Sequence, residues 1–155
     1  MSRAFVKDDD GGEGNEDLPD RLISEHPNLV TPEGLALIEA EVARLSATYA
    51  AAQTAADRIG LQRIARDLRY WTARRSTVEV VEPPVDASQV QFGSTVSIAR
   101  DDGRRQTFRI VGEDEANPAK GTLSYVSPLA QALMGKSVGE VVRAAAGEAE
   151  ITRVA

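Results

Sequence analysis

The sequence predicts an α+β protein, in which an N-terminal antiparallel helical hairpin precedes a small antiparallel sheet domain with one short helix. Three observations carry that prediction. Leu35, Ile38, Val42, Leu45, Tyr49 and Ala52 recur at alternating spacings of three and four, which is the heptad seam of a coiled coil. From Val90 onward the apolar period falls to two, with Val96 and Ile98 set against Thr95 and Ser97. Between these regimes, Glu82-Pro83-Pro84-Val85-Asp86 cannot continue a helix and marks a linker. The expected layout is a flexible acidic tail over 1–30, a hairpin over 31–81, a linker over 82–88 and a domain over 89–155.

The tail expectation follows from composition. Residues 1–30 hold eight acids against Arg3, Lys7 and Arg21, with the run DDDGGEGNED near the start. Such a segment cannot bury enough apolar surface to offset its ordering entropy. Only Phe5, Val6 and the Leu22-Ile23 pair could dock on anything. His26 is the sole histidine, and without Cys or His neighbours it reads as a solvated turn residue.

Thr31-Pro32-Glu33-Gly34 opens the first helix, with Thr31 as N-cap, Pro32 at the first helical position and an acid in the first turn. Thr54-Ala55-Ala56-Asp57 reads as a capping box that starts a second helix. Leu61, Ile64, Leu68, Trp71 and Val78 continue a seam there, interrupted by Arg75. Two helices of similar length, each with a narrow apolar stripe and a short connection, fold back on one another. Some 22 residues give an arm roughly 33 Å long. The tip of that arm is expected at Gln53, Thr54 and Asp57.

The net charge of −6 conceals an asymmetry. Residues 54–78 carry six arginines against Asp57 and Asp67, while the rest of the chain is acidic or balanced. Arg63, Arg66, Arg69 and Arg74 fall off the seam, which is the pattern of either a solvated face or a local contact with an acidic partner. One basic element in an acidic chain argues against general nucleic-acid affinity and for a local charged contact, and no sequence-specific nucleic-acid binding is expected.

In the last third, Thr107 to Val111 is a strand with Phe108 and Ile110 on one side, and Asp101-Asp102-Gly103 is the hairpin turn before it. Leu123, Tyr125 and Val126 resume a strand. Ser127 then caps a short helix with Pro128 at its first position, and Gly135 ends it. Val138–Val142 and Ala149–Val154 supply two more strands. The acids Glu113, Asp114 and Glu115 read as a solvated loop rather than a cation site, since oxygen-only sites need several converging ligands.

Composition narrows the chemistry further. The chain has no cysteine, so thiolate catalysis and disulfides are excluded, and a reducing cytoplasm is the default expectation. No stretch approaches the ~18–20 apolar residues of a membrane span, and MSRAFVKDDDGGEG has no signal-peptide core. Gly135-Lys136-Ser137 lacks the earlier glycine and the strand-to-helix setting of a phosphate loop. One histidine supports no Ser/His/Asp set. We therefore expect no active site, no metal and no cofactor.

Several blocks together resemble the Gre transcript-cleavage factors, closer to the GreB branch than to GreA. They are Phe92-Gly93-Ser94-Thr95-Val96, the DDG turn, Phe108–Glu115, the Ser-x-x-Ser-Pro-Leu-Ala-x-Ala-Leu pattern within Leu123–Leu133, Gly135-Lys136 and Val138-Gly139-Glu140. MSRAFVK, VTPEGL and RDLRYW extend the likeness over most of the chain. The resemblance implies an FKBP-like C-terminal domain that docks, as a monomer, on the rim of the RNA polymerase secondary channel, with the hairpin entering the channel. It places docking at Val126, Ser127 and Pro128, although Val126 stands where the GreB type usually carries an acid or amide. In the family a Gly-Asp-x-x-Glu-Asn-Ala-type tip supplies two carboxylates to a catalytic magnesium. Here the tip reads AAAQTAADRIG, and the arm is shorter by ~18 residues, about 13 Å of reach. The resemblance thus implies an elongation factor with weak or no stimulation of transcript cleavage. The alternative is a short-armed Gre-like interaction regulator of the nucleoside diphosphate kinase regulator type. A prolyl isomerase is a weaker reading that rests on fold analogy alone.

Overall fold

The computed structural model describes residues 18–144 and 147–155. Residues 1–17, including Phe5 and Val6, lie outside the described residues. The order of elements is β1 (Leu29–Val30), α1 (Pro32–Thr54), α2 (Arg58–Ser76), β2 (Glu79–Val80), β3 (Thr95–Arg100), β4 (Arg105–Val111), β5 (Thr122–Ser124), α3 (Pro128–Leu133), β6 (Val141–Ala144) and β7 (Gly147–Val154).

Helix α1 begins where its sequence says it should. Thr31 is the N-cap, its side chain accepts the Gly34 N–H at 3.0 Å, and Pro32 takes the first helical position. The seam residues Ile38, Val42, Leu45 and Ala52 are buried, and α2 covers them with Leu61, Ile64, Leu68 and Trp71, each half-buried. The cap of α2 differs from expectation. Thr54 ends α1, its hydroxyl donating back to the Ala50 carbonyl at 3.2 Å, and Asp57 itself is the N-cap of α2. The reason is Ala56, which takes a left-handed conformation at φ 56° and breaks the helix between the two.

The chain on either side of this pair closes its root. β1 and β2 run parallel, with Leu29 opposite Glu79 and Val30 opposite Val80. The stretch 18–30, expected as tail, is engaged here. Asn28 and Val30 are buried, Asp20 pairs with Arg69 at 2.6 Å, and the Arg21 guanidinium lies 3.9 Å over the Tyr70 ring. Leu22, by contrast, is fully exposed and docks on nothing.

The C-terminal half is a five-stranded sheet of order β5-β4-β3-β7-β6. All its pairings are antiparallel except β4 with β5. The β3–β4 turn is the expected Asp-Asp-Gly, with Gly103 at φ 86° donating to the Arg100 carbonyl. Two strand expectations shift. β5 stops at Ser124, so Tyr125 and Val126 turn away from it, and β6 starts at Val141, leaving Val138 exposed in a loop. Val96, Ile98, Ile110 and Ile151 are wholly buried on one sheet face, and Ala130 and Leu133 bring α3 down on them. That packing fixes α3, and with it the turn that precedes it.

Candidate functional site

Three places on this frame could carry function. The first is the corner at Val126, Ser127 and Pro128. Ser127 is the N-cap of α3, accepting the Ala130 N–H at 3.3 Å, while its own N–H donates to the Ser124 carbonyl at 3.0 Å. Gln131 reaches back to the Tyr125 carbonyl at 2.6 Å, so the corner is tied on both sides. Val126 packs against the core, Ser127 is half-buried and Pro128 is exposed. The sequence placed these three residues together, and the structure brings them to one rigid, proline-fronted bend. It offers shape rather than reactive groups.

The second place is the tip. Gln53, Thr54 and Asp57 are all exposed around the α1–α2 connection. Asp57 is the only carboxylate between residues 50 and 60, and it accepts the Gly60 N–H at 3.0 Å as helix cap. A carboxylate already engaged as a helix cap supplies one ligand where a hard cation held by protein alone takes several. A groove of about 520 Å³ runs along the flank of the arm between Tyr49 and Leu68, Thr72 and Ser76, away from both tip and corner.

The third place, which sequence reasoning missed, is the root of the arm. The loop 113–115, expected to be solvated, is packed against both helices. Asp114 accepts from Arg74 Nε at 2.5 Å and from the Tyr70 hydroxyl. Arg74, expected either on a solvated face or against an acidic partner, is 2% exposed, and it also donates to Asn28 Oδ1 at 2.7 Å while its carbonyl receives Asn28 Nδ2 at 2.8 Å. Glu113 stands 3.9 Å from Arg74, an ion pair but too long for a hydrogen bond. Glu115 accepts the Thr31 N–H at 2.8 Å, the Thr31 hydroxyl and the Gly112 N–H at 3.1 Å. The Tyr125 hydroxyl donates to the Pro27 carbonyl, and Arg109 pairs with Glu33 at 3.4 Å.

The electrostatics match this burial. Burial first, then the hydrogen bond and charge of Asp114, push the Tyr70 phenol up to about 12. Burial and the Glu113 charge raise Tyr125 as well. The Glu33 carboxyl is lowered, by its own backbone N–H and then by Arg109. His26 is exposed, and its backbone N–H donates to Ser24 Oγ at 3.1 Å. The signal that could have found the root was the pair Gly34 and Gly112. Neither has the positive φ that favours glycine. A Cβ at Gly34 would lie 2.3 Å from Glu115 Oε2, and one at Gly112 would lie 2.3 Å from the Leu29 carbonyl oxygen.

Known proteins resemble this chain at several levels. A family model described as the C-terminal part of transcription elongation factor GreA/GreB matches residues 85–154. The transcription elongation factor GreB of Pseudomonas aeruginosa is 36% identical over 141 residues, covering 77% of this chain and 84% of that protein. The transcription elongation factor GreB of Neisseria meningitidis serogroup B is 42% identical over 84 residues. That match covers 53% of this chain and spans about half, 52%, of the relative's length. Among solved structures, GreA factor homolog 1 of Thermus thermophilus covers 84% of this chain and is itself covered to 99%, at 18% identity and a TM-score of 0.41.

Proposed function

The chain belongs to the GreA/GreB transcription elongation factor family, and on that premise we propose that it binds RNA polymerase at the rim of the secondary channel. The sheet domain, read as FKBP-like, makes the contact through Val126, Ser127 and Pro128. The helical hairpin, read as a coiled coil, projects into the channel as a monomeric probe. Its stimulation of transcript cleavage is weak or nil, and its work is to compete with other channel occupants or to tune pausing. The chain itself is no enzyme and acts in the cytoplasm. No described helix is long and apolar enough to cross a membrane.

The observation that carries the non-cleaving reading is the tip. Asp57 is the only carboxylate there, and one of its oxygens already holds the Gly60 N–H. No second carboxylate stands beside it between residues 50 and 60 to share a weakly held cation. The corner, in contrast, has what a docking surface needs: backbone fixed by the Ser127 cap and an exposed proline that loses no hydrogen bond on contact.

Two measurements decide it. Binding to core RNA polymerase should weaken with Pro128→Ala and survive replacement of Gln53 and Thr54 by alanine. Cleavage by backtracked complexes should rise little when the protein is added. Strong cleavage that Asp57→Ala abolishes would overturn the non-cleaving reading. Affinity capture that recovers a kinase and no polymerase subunit would overturn the polymerase reading itself.

A further inference from the structure

We infer that the polar junction at the arm root is a positioning device that sets the direction of the hairpin relative to the docking corner. This rests on the function proposed above for its purpose, though its geometry stands alone. The contacts grip the arm at three separate points. Glu115 holds the start of α1 through Thr31. Asp114 holds the end of α2 through Tyr70 and Arg74. Tyr125 holds the incoming chain at Pro27, and Arg74 ties that chain to α2 through Asn28. Contacts at the start of α1, at the end of α2 and on the incoming chain restrain both helices of the hairpin, whereas a single contact would leave a hinge.

The grip is also close. At Gly112 the two halves approach so nearly that a Cβ would meet the Leu29 carbonyl oxygen at 2.3 Å, and backbone cannot move aside as a side chain can. Burial strengthens it further, because Arg74 and Asp114 are 2% and 8% exposed and face little competing water. The corner joins the same network directly. Tyr125 precedes Val126, receives Gln131 on its carbonyl, stacks edge-on against Phe92 and donates its hydroxyl to Pro27. The residue that shapes the docking turn therefore also holds the arm.

Leverage explains why such a grip matters. An arm of 23 residues is about 35 Å long, so a tilt of about 10° at the root moves the tip by about 6 Å. Glu115, Asp114, Arg74 and Tyr125 are positioning residues in this sense, since none lies at the corner's exposed face or at the tip.

The chain has no cysteine, so labels can be placed singly without background. Spin labels at Q53C on the tip and R104C on the exposed β3–β4 turn report the arm's direction by pulsed dipolar spectroscopy in the full chain. The parent should give one narrow distance distribution. Asp114→Asn loosens the grip on α2, and Gly112→Ala drives a methyl into the Leu29 carbonyl without removing a polar group. A distribution shifted or broadened by several ångströms in either variant supports the device, as a lever of this length requires. Distributions that superimpose on the parent in both variants overturn it. Each variant is then assayed on polymerase. Undiminished binding with loss of the arm-dependent effect, competition or altered pausing, is the expected split. If the parent does not bind polymerase, the functional reading falls while the distance measurement still decides the positioning claim.

Discussion

At the scale of single residues, Tyr70 shows how a contact between halves becomes measurable. Its ring meets Trp71 edge-on at 5.2 Å, and its hydroxyl donates to Asp114. Ionising the phenol would break that donor and place a second negative charge beside the carboxylate. Burial and Asp114 accordingly lift it from the ordinary tyrosine value of 10.0 to about 12. A raised folded value means that the native state holds its proton longer than the unfolded chain. The stabilisation linked to that proton is complete below about pH 10 and is lost as the pH climbs through about 12. Stability in urea should therefore fall between those limits, and Tyr70→Phe should make the fall shallower. An ultraviolet titration should lose its late tyrosine step in the same variant. An unchanged slope and an unchanged titration in Tyr70→Phe would show that this phenol is not held as described.

At the scale of elements, the tip offers two substitutions of opposite sign. Ala56 sits at φ 56°, where an L-residue's Cβ crowds the following carbonyl at a cost of about 1–2 kcal/mol. Asp57 supplies the cap that satisfies the Gly60 N–H. Ala56→Gly should raise stability by roughly 1 kcal/mol, less what the freer unfolded chain takes back, whereas Asp57→Ala should lower it by about 1 kcal/mol. Chemical denaturation reads both, and a destabilised Ala56→Gly would contradict the left-handed turn. The seam of α1, the Ser127-Pro128 cap of α3 and the β3–β4 turn were all legible in the sequence, because each is written in residues a few positions apart. The α2 cap was misread by three residues, since Thr54 and Asp57 both satisfy local capping chemistry and only the backbone at Ala56 decides between them. The root was illegible for a different reason. Arg74 and Asp114 are 40 residues apart, and no periodicity within α2 distinguishes an arginine facing solvent from one facing another element. Arg75, the residue that breaks the seam, is exposed, so near the root α2 gives its inward face to its neighbour Arg74.

At the scale of the whole molecule, the question is what holds the arm folded. Its two helices are 23 and 19 residues long, and the α2 seam is only half-buried. Most of a protein helix's stability comes from tertiary packing of its apolar face rather than from its own propensity. The arm therefore depends on the root, where buried groups of opposite charge are paired and the chain on both sides closes as β1 and β2. Removing one partner of a buried pair leaves the other uncompensated, at a cost of about 3–5 kcal/mol. Arg74→Met keeps the apolar length of the side chain and removes the charge, so the loss falls on Asp114, Asn28 and Tyr70 together. Trp71, the sole tryptophan, lies on α2 one turn from that site and reports the arm alone. Amide exchange at Val96, Ile98 and Ile110 reports the sheet, whose core shares none of the lost contacts. In the parent, urea should release both signals in one transition. In Arg74→Met the Trp71 signal should move to lower urea by about 1–5 M, given typical slopes of about 1–3 kcal/mol per molar, while the sheet amides stay protected. Coincident loss of both signals in the variant would mean that the arm and the sheet share one cooperative unit through contacts other than Arg74.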